Sequence, residues 1–428
     1  GTAKDSTHFD VSKILMNSKK GDGYAHLLFE GVKKGKGKLR FLLQKSGQII
    51  GELPPVYLEL MDVTEMYETY TVGDESKSGI GSAWPTSVAT QTSGQNLPAP
   101  QTDEQKDYIL FVHGWNMPGW EKEAFASTMF KRMWHQGYKG RFGAFRWPTF
   151  WGFSGIWDAA SKEKHFDYSE YRAWNSAAPL NTLLGTLSET FKNDSGNSLV
   201  RIYAHSMGNV VTAEALRLGA SAHTYISAQA ALAADVWDNS VNDRDGITPT
   251  TPNVYGFYWQ QGATFSYDPN KWQKEGRPSY MDKDEYMTGG TRYINHYNPD
   301  DWALAAGKWQ INQKLKPDLD YQYERWYATN WYGFTRNTSL VTEKKLEFPS
   351  DRYEIFSFAA EARSYATGAE GATRGKFSES VDLKSQFAFE KEHKGHSAQF
   401  RSYIQKRWTY WYHTLFIDME LEIPEQAN

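Results

Sequence analysis

The sequence predicts an α/β fold, with a mostly parallel central sheet carrying helices on both faces, preceded by a small all-β module. Three observations lead there. Strand-like and helix-like segments alternate from Asp107 onward, the earlier of the strand-like segments are short and almost wholly apolar, and the first 75 residues hold only short β-prone runs between turn residues.

In the first 75 residues the runs are Tyr24 to Phe29, Leu39 to Leu43 and Val56 to Leu60, separated by Gly/Lys/Ser turns and by Pro54-Pro55. A sandwich-like module at 1–75 accommodates them. Residues 76–105 are rich in Ser, Thr, Gln, Pro and Gly without periodic apolar positions, and read as a linker. The second domain, 106–428, begins with Tyr108 to Val112, apolar at every position as a strand covered on both faces requires. Phe125, Met129, Phe130, Met133 and Trp134 then recur at helical spacing within Glu121 to Tyr138. Phe142 to Trp147 and Leu199 to Ala204 are further strands, and Asn209 to Leu218 is a helix. Tyr168 to Phe191 is helical but interrupted just before Pro179, where the ring forbids a continuous turn. Later strands fall at Thr224 to Ile226, Tyr293 to Asn295 and Tyr353 to Phe358, with a terminal helix over Gln399 to Leu415. Between the strands near Ile226 and Ile294, an insertion at about 235–290 carries many Trp and Tyr rings among Gly, Pro, Asn and Asp. It suits a lid over a cleft or a loop packed on its own rings.

Composition removes several function classes. Lys+Arg 47 against Asp+Glu 51 gives a net charge of -4, which offers no basic footprint for a nucleic acid. With no cysteine there is neither a disulfide nor a thiolate nucleophile or ligand. No run approaches the roughly 20 apolar residues of a transmembrane helix. Together with the polar opening of the sequence and the abundance of aromatic rings, this leads to the expectation of a secreted, cell-surface or periplasmic protein. The Asp/Asn-rich stretch Asp238 to Gly246 lacks the final Glu of a calcium loop, so no metal is expected there.

Two motifs carry chemistry. Val200 to Gly208 reads V-R-I-Y-A-H-S-M-G and leads into the helix-compatible Asn209-Val210-Val211. A strand, a sharp turn with Ser206 at its apex and an immediate helix would present the serine hydroxyl at the carboxyl edge of the sheet. The Met207 N–H would then face a developing oxyanion at the positive end of the helix dipole. His205, beside the nucleophile, points away in such a turn and reads as structural support. The other motif is Tyr108 to Gly119, a buried strand ending in His113-Gly114. It lets the next backbone N–H, that of Trp115, supply the second oxyanion donor, with Asn116 fixing the loop or donating through its side chain.

Val112-His113-Gly114-Trp115-Asn116, Phe145-Arg146-Trp147-Pro148 and Ala204-His205-Ser206-Met207-Gly208-Asn209 resemble the α/β-hydrolase superfamily, in particular a poorly characterised branch of bacterial lipase/esterase-like hydrolases. The resemblance spans about Asp107 to Leu415, and Ala204 replaces the first glycine of the usual serine motif. It implies a Ser, Asp, His order along the chain. The acid then falls in Asn298-Pro299-Asp300-Asp301, where the family's register of a polar residue, two spacers and Asp selects Asp301, with Asp300 its close rival. The base falls after the last strand, where Gly395-His396-Ser397 resembles the context of family members and His393 is the alternative.

The resemblance and the motifs together imply a serine carboxylic ester hydrolase of esterase or lipase type, working through an acyl-enzyme and needing no cofactor. A small-molecule or polymeric ester, apolar or bearing a ring, is the expected substrate, with Trp147, Trp151 and Trp259 as candidate substrate-binding rings beside Asn116. An amidase or peptidase would use the same three residues, and a non-catalytic binding protein on the same fold is the alternative of a different class.

Overall fold

Every one of the five side chains of Tyr108–Val112 is buried, as its unbroken apolar sequence requires of a strand in the middle of a covered sheet. Around it the computed structural model describes residues 34–73, 85–149, 169, 172–231, 290–298, 301, 368, 379–383, 396–400, 410 and 414–421. The chain divides into two units, Gly1–Met66 and Tyr67–Asn428.

In the first unit β1 (Gly35–Leu39), β2 (Leu42–Lys45), β3 (Gln48–Glu52) and β4 (Val56–Leu60) form two antiparallel pairs, β1 with β4 and β2 with β3. Ser46 and Gly47 close the β2–β3 hairpin with φ of 50° and 82°, the doubly positive pair whose twist matches that of the strands.

The second unit is built on an eight-stranded sheet. Its strands are β5 (Glu68–Thr71), β6 (Thr90–Ser93), β7 (Tyr108–Val112), β8 (Arg141–Arg146), β9 (Val200–His205), β10 (Thr224–Ala228), β11 (Arg292–Tyr297) and β12 (Glu379–Asp382). They lie in the order β12-β11-β10-β9-β7-β8-β5-β6, and every neighbouring pair is parallel except the edge pair β5–β6. Three helices cover it: α1 (Gly119–His135), α2 (Ala177–Thr190) and α3 (Gly208–Arg217). Tyr108, Leu110 and Val112 of β7 share one core with Val200, Ile202 and Ala204 of β9 and with Leu180, Leu184 and Val210 of α2 and α3. Strand alternation sends Phe111, Tyr203 and His205 to the opposite face. There the Phe125 ring of α1 stacks on Phe400 at 4.4 Å between centroids, and Phe111 lies 5.6 Å from the same ring. Fully burying each such aliphatic or aromatic side chain contributes about 1.5–3 kcal/mol.

Strand order reverses at β7, because the chain passes from β7 to β8 on one side and returns to place β9 on the other. The carboxyl ends of β7 and β9 therefore feed loops that leave in opposite directions and open a crevice, the usual ligand position in parallel sheets.

Several elements differ from the sequence expectation. Strands β5 and β6 fall within the stretches assigned to the N-terminal module and the linker, yet both belong to the large sheet. Strand propensity does not reveal which sheet a segment joins, and Thr90–Ser93 is an entirely polar edge strand with no apolar pattern to detect. The Glu68 carboxylate, nearly buried in β5, accepts hydrogen bonds from the Tyr108 and Tyr70 hydroxyls at 2.5 and 3.0 Å. At the other edge the strand beside β11 is Glu379–Asp382, in a region expected to be loop; it is mostly exposed, and Arg292 of β11 pairs with its Glu379. The expected strand Tyr353 to Phe358 and the aromatic insertion, except for its last residue Gly290, lie outside the described residues. Pro179 sits in the first turn of α2, where its missing N–H breaks no intrahelical bond. Trp134, expected on the buried face of α1, is half exposed. Of the expected terminal helix, the described parts are a 3-10 turn, Ala398–Phe400, and the start of a short helix, Leu415–Asp418. Among the described residues no helix is long and apolar enough to cross a membrane.

Candidate active site

The turn from β9 to α3 places Ser206 at φ 54°, a left-handed conformation costing a non-glycine residue about 1–2 kcal/mol. Two backbone hydrogen bonds hold it there: Ser206 N–H donates to the Ala228 carbonyl at 3.0 Å, and Ala231 N–H donates to the Ser206 carbonyl at 3.1 Å. At about 1 kcal/mol each they offset the strain. Asn209 adds its side-chain amide, donating to the carbonyls of Ser206 and Ala204 at 2.8 and 3.1 Å. Glycine at 208 is dictated by space, since a Cβ there would lie 2.5 and 2.6 Å from the Val112 and His113 carbonyl oxygens. Because both obstacles are backbone, Gly208→Ala is expected to lower stability by about 1–3 kcal/mol or more, read as a fall in Tm in thermal unfolding. Met207, wholly buried, leads into α3, whose first backbone amides point toward the turn.

Facing this turn is the loop after β7. His113 is buried, and its ring is stacked on Trp147 with centroids 5.2 Å apart. The Trp147 backbone N–H donates to His113 Nε2 at 3.1 Å, so the imidazole proton sits on Nδ1 and donates to the Gly114 carbonyl at 2.7 Å. Burial holds this imidazole well below the ordinary histidine pKa, and the nearby Lys122 ammonium adds to the shift. His113 is therefore a neutral clamp. Fixing the Gly114 carbonyl turns the N–H of the same peptide, that of Trp115, to the opposite side. Gly114 permits the approach, because a Cβ there would stand 2.8 Å from Ser206 Cβ. Asn116, at φ 59°, sends its backbone N–H to Thr149 Oγ1 at 3.1 Å and closes the loop.

His396 and Asp301 complete the arrangement. His396 Nε2 lies 3.1 Å from Ser206 Oγ, and its Nδ1 lies 2.7 Å from Asp301 Oδ2, with the aspartate fully buried. The turn that follows His396 anchors it: Phe400 stacks on Phe125, and the Gln399 amide donates to the Tyr203 hydroxyl at 3.2 Å. His205 Nε2 donates to the His396 carbonyl at 2.9 Å, so the histidine beside the nucleophile holds the backbone of the other histidine, the supporting place foreseen for it. Asp301 follows β11 through a turn in which its N–H donates to the Asn298 carbonyl at 3.0 Å.

A family model described as an alpha/beta hydrolase of unknown function (DUF900) matches residues 91–237, which hold β7 to β10, the His113 loop and the Ser206 turn. The chain is an α/β-hydrolase. No curated protein matches the sequence. The family match ends before Asp301 and His396, so the completion of the hydrolase site rests on the geometry alone.

Of the residues singled out from sequence, the hydrolase fold brings Ser206, Asp301, His396, Met207, Trp115 and Asn116 to one crevice at the carboxyl ends of β7, β9 and β11. Trp147 has another place. Instead of lining a pocket it is wholly buried, and its indole N–H donates to the His113 carbonyl at 2.8 Å. Trp151, Trp259, Asp300 and His393 lie outside the described residues. Gln229 was not anticipated: buried at the end of β10, it donates from Nε2 to Asp301 Oδ2 at 2.7 Å. Nothing in Ser227-Ala228-Gln229-Ala230-Ala231 marks it, because its partner is 72 residues away.

Proposed function

We propose that this protein is a serine hydrolase that cleaves carboxylic esters through an acyl-enzyme. The observation that carries the reading is the unbroken hydrogen-bond chain from Ser206 Oγ through the His396 ring to Asp301, ending at a strained serine on a strand-to-helix turn. In this reading Ser206 attacks the acyl carbonyl while His396 Nε2 takes the hydroxyl proton. Asp301 holds the ring in the Nδ1–H tautomer and stabilises the imidazolium. The tetrahedral oxyanion is met by the Trp115 and Met207 N–H groups, donors of a kind worth on the order of 3 kcal/mol each. His396 then protonates the leaving alkoxide, and a water deprotonated by the same ring releases the acid.

The test is hydrolysis of p-nitrophenyl esters from acetate to palmitate. The reading expects turnover, and the chain length at which kcat/KM peaks separates a short-acyl esterase from a lipase. A folded protein inert on every ester favours instead a binding protein on this fold or an amide substrate.

A further inference from the structure

We infer that Gln229 is a positioning residue that fixes Asp301 and tunes how strongly it favours the protonated form of His396, an inference that rests on the serine hydrolase reading above. The segment Ala228–Ala231 ties the nucleophile and the acid into one frame. On one side the Ala228 carbonyl and the Ala231 N–H grip the backbone of Ser206. On the other, the Gln229 side chain donates to Asp301 Oδ2 at 2.7 Å, the same oxygen that accepts His396 Nδ1–H at 2.7 Å. Gln229 is held at φ 43°, a conformation that asparagine or glycine would occupy with less strain. Its backbone N–H donates to the His296 carbonyl at 2.8 Å, which ties the strained residue to β11. Gly368 closes over the same peptide: its N–H donates to the Ala230 carbonyl at 3.0 Å and its carbonyl accepts from Asn298, the residue that begins the Asp301 turn. A Cβ at Gly368 would collide with the Gln229 and Ala230 backbone.

The electrostatic consequence follows from the shared oxygen. A carboxylate oxygen with two donors spreads its charge between them, so its pull on an imidazolium is weaker than with one. Removing the amide donor returns that charge to His396, favours its protonated form and moves the acidic limb of the pH profile upward. The titratable groups facing His396 among the described residues are Asp301 at Nδ1, Ser206 at Nε2 and His205, whose ring centre lies 5.1 Å away. All three are unchanged in a Gln229 variant, so a shifted limb reports on the Gln229–Asp301 contact.

The experiment is the second-order rate of Ser206 modification by a fluorophosphonate across pH 5 to 10, for wild type, Gln229→Leu and Gln229→Glu, with circular dichroism as the check of folding. It needs no knowledge of the natural substrate. The expected result is a plateau rate about 10-fold below wild type in Gln229→Leu, from lost alignment. Its acidic limb moves up by about one pH unit. In Gln229→Glu the limb moves at least as far, because an ionised neighbour adds charge beside Asp301. A merely structural role would lower Tm and the plateau and leave the limb in place. Wild type that does not react at all overturns the hydrolase reading itself. Wild type that reacts, with limbs coincident in every folded variant, overturns the role of Gln229 alone, as does failure of both variants to fold.

Discussion

Ser206→Ala is expected to lower ester hydrolysis by on the order of 10⁵- to 10⁶-fold while leaving the fold intact. Ser206 Oγ is the one hydroxyl within hydrogen-bond distance of His396 Nε2 among the described residues, and with it goes the atom that would form the acyl-enzyme. Stability should change little, for alanine adopts the left-handed turn at about the same cost as serine, and the backbone bonds to Ala228 and Ala231 remain. Initial rates on a p-nitrophenyl ester, with thermal unfolding of the same preparation, check both halves. Residual activity within 10-fold of wild type would mean that another group attacks the ester.

Asp301→Asn is the second large effect, a fall in kcat of about 10⁴-fold. The substitution keeps volume and removes the charge opposite the imidazolium that forms as Ser206 is deprotonated. An amide at 301 also offers only one acceptor oxygen where the carboxylate has two. If it turns its NH2 toward His396, it stabilises the wrong ring tautomer, with Nδ1 unprotonated and Nε2 unable to accept the serine proton. Binding of substrate should be nearly unaffected, so the loss appears in kcat and hardly in KM. A parallel rise in KM would place Asp301 in substrate binding.

How much of this was legible in the sequence depends on how local each signal is. The Ser206 turn and the His113 loop could be read directly, because their requirements act between adjacent residues: an apolar strand, a small residue where backbones touch, and a helix starting at once. Asp301 and His396 were reached through family resemblance, and the geometry places both at Ser206 although each lies 95 residues from its predecessor in the chain. The edge strands β6 and β12 escaped notice because Thr90–Ser93 and Glu379–Asp382 are polar, exposed segments whose strand form is imposed by the neighbour they pair with. Trp147 was misplaced for a related reason. Its position after β8 suggested a pocket wall, whereas its pairing with His113 is a tertiary contact across 34 residues. Gln229 left no trace at all, since a glutamine after a strand is ordinary until its carboxylate partner is in view.

The most direct measurement is covalent capture: treat the folded protein with a fluorophosphonate, digest it and locate the adduct by mass spectrometry, with His396→Ala as the paired control. The expected result is a single stoichiometric adduct on the peptide carrying Ser206 in wild type, and labelling reduced by at least about 10³-fold in the folded His396→Ala variant. An adduct on a different serine, or equal labelling of Ser206 without His396, would contradict the assignment of Ser206, His396 and Asp301 as one catalytic unit.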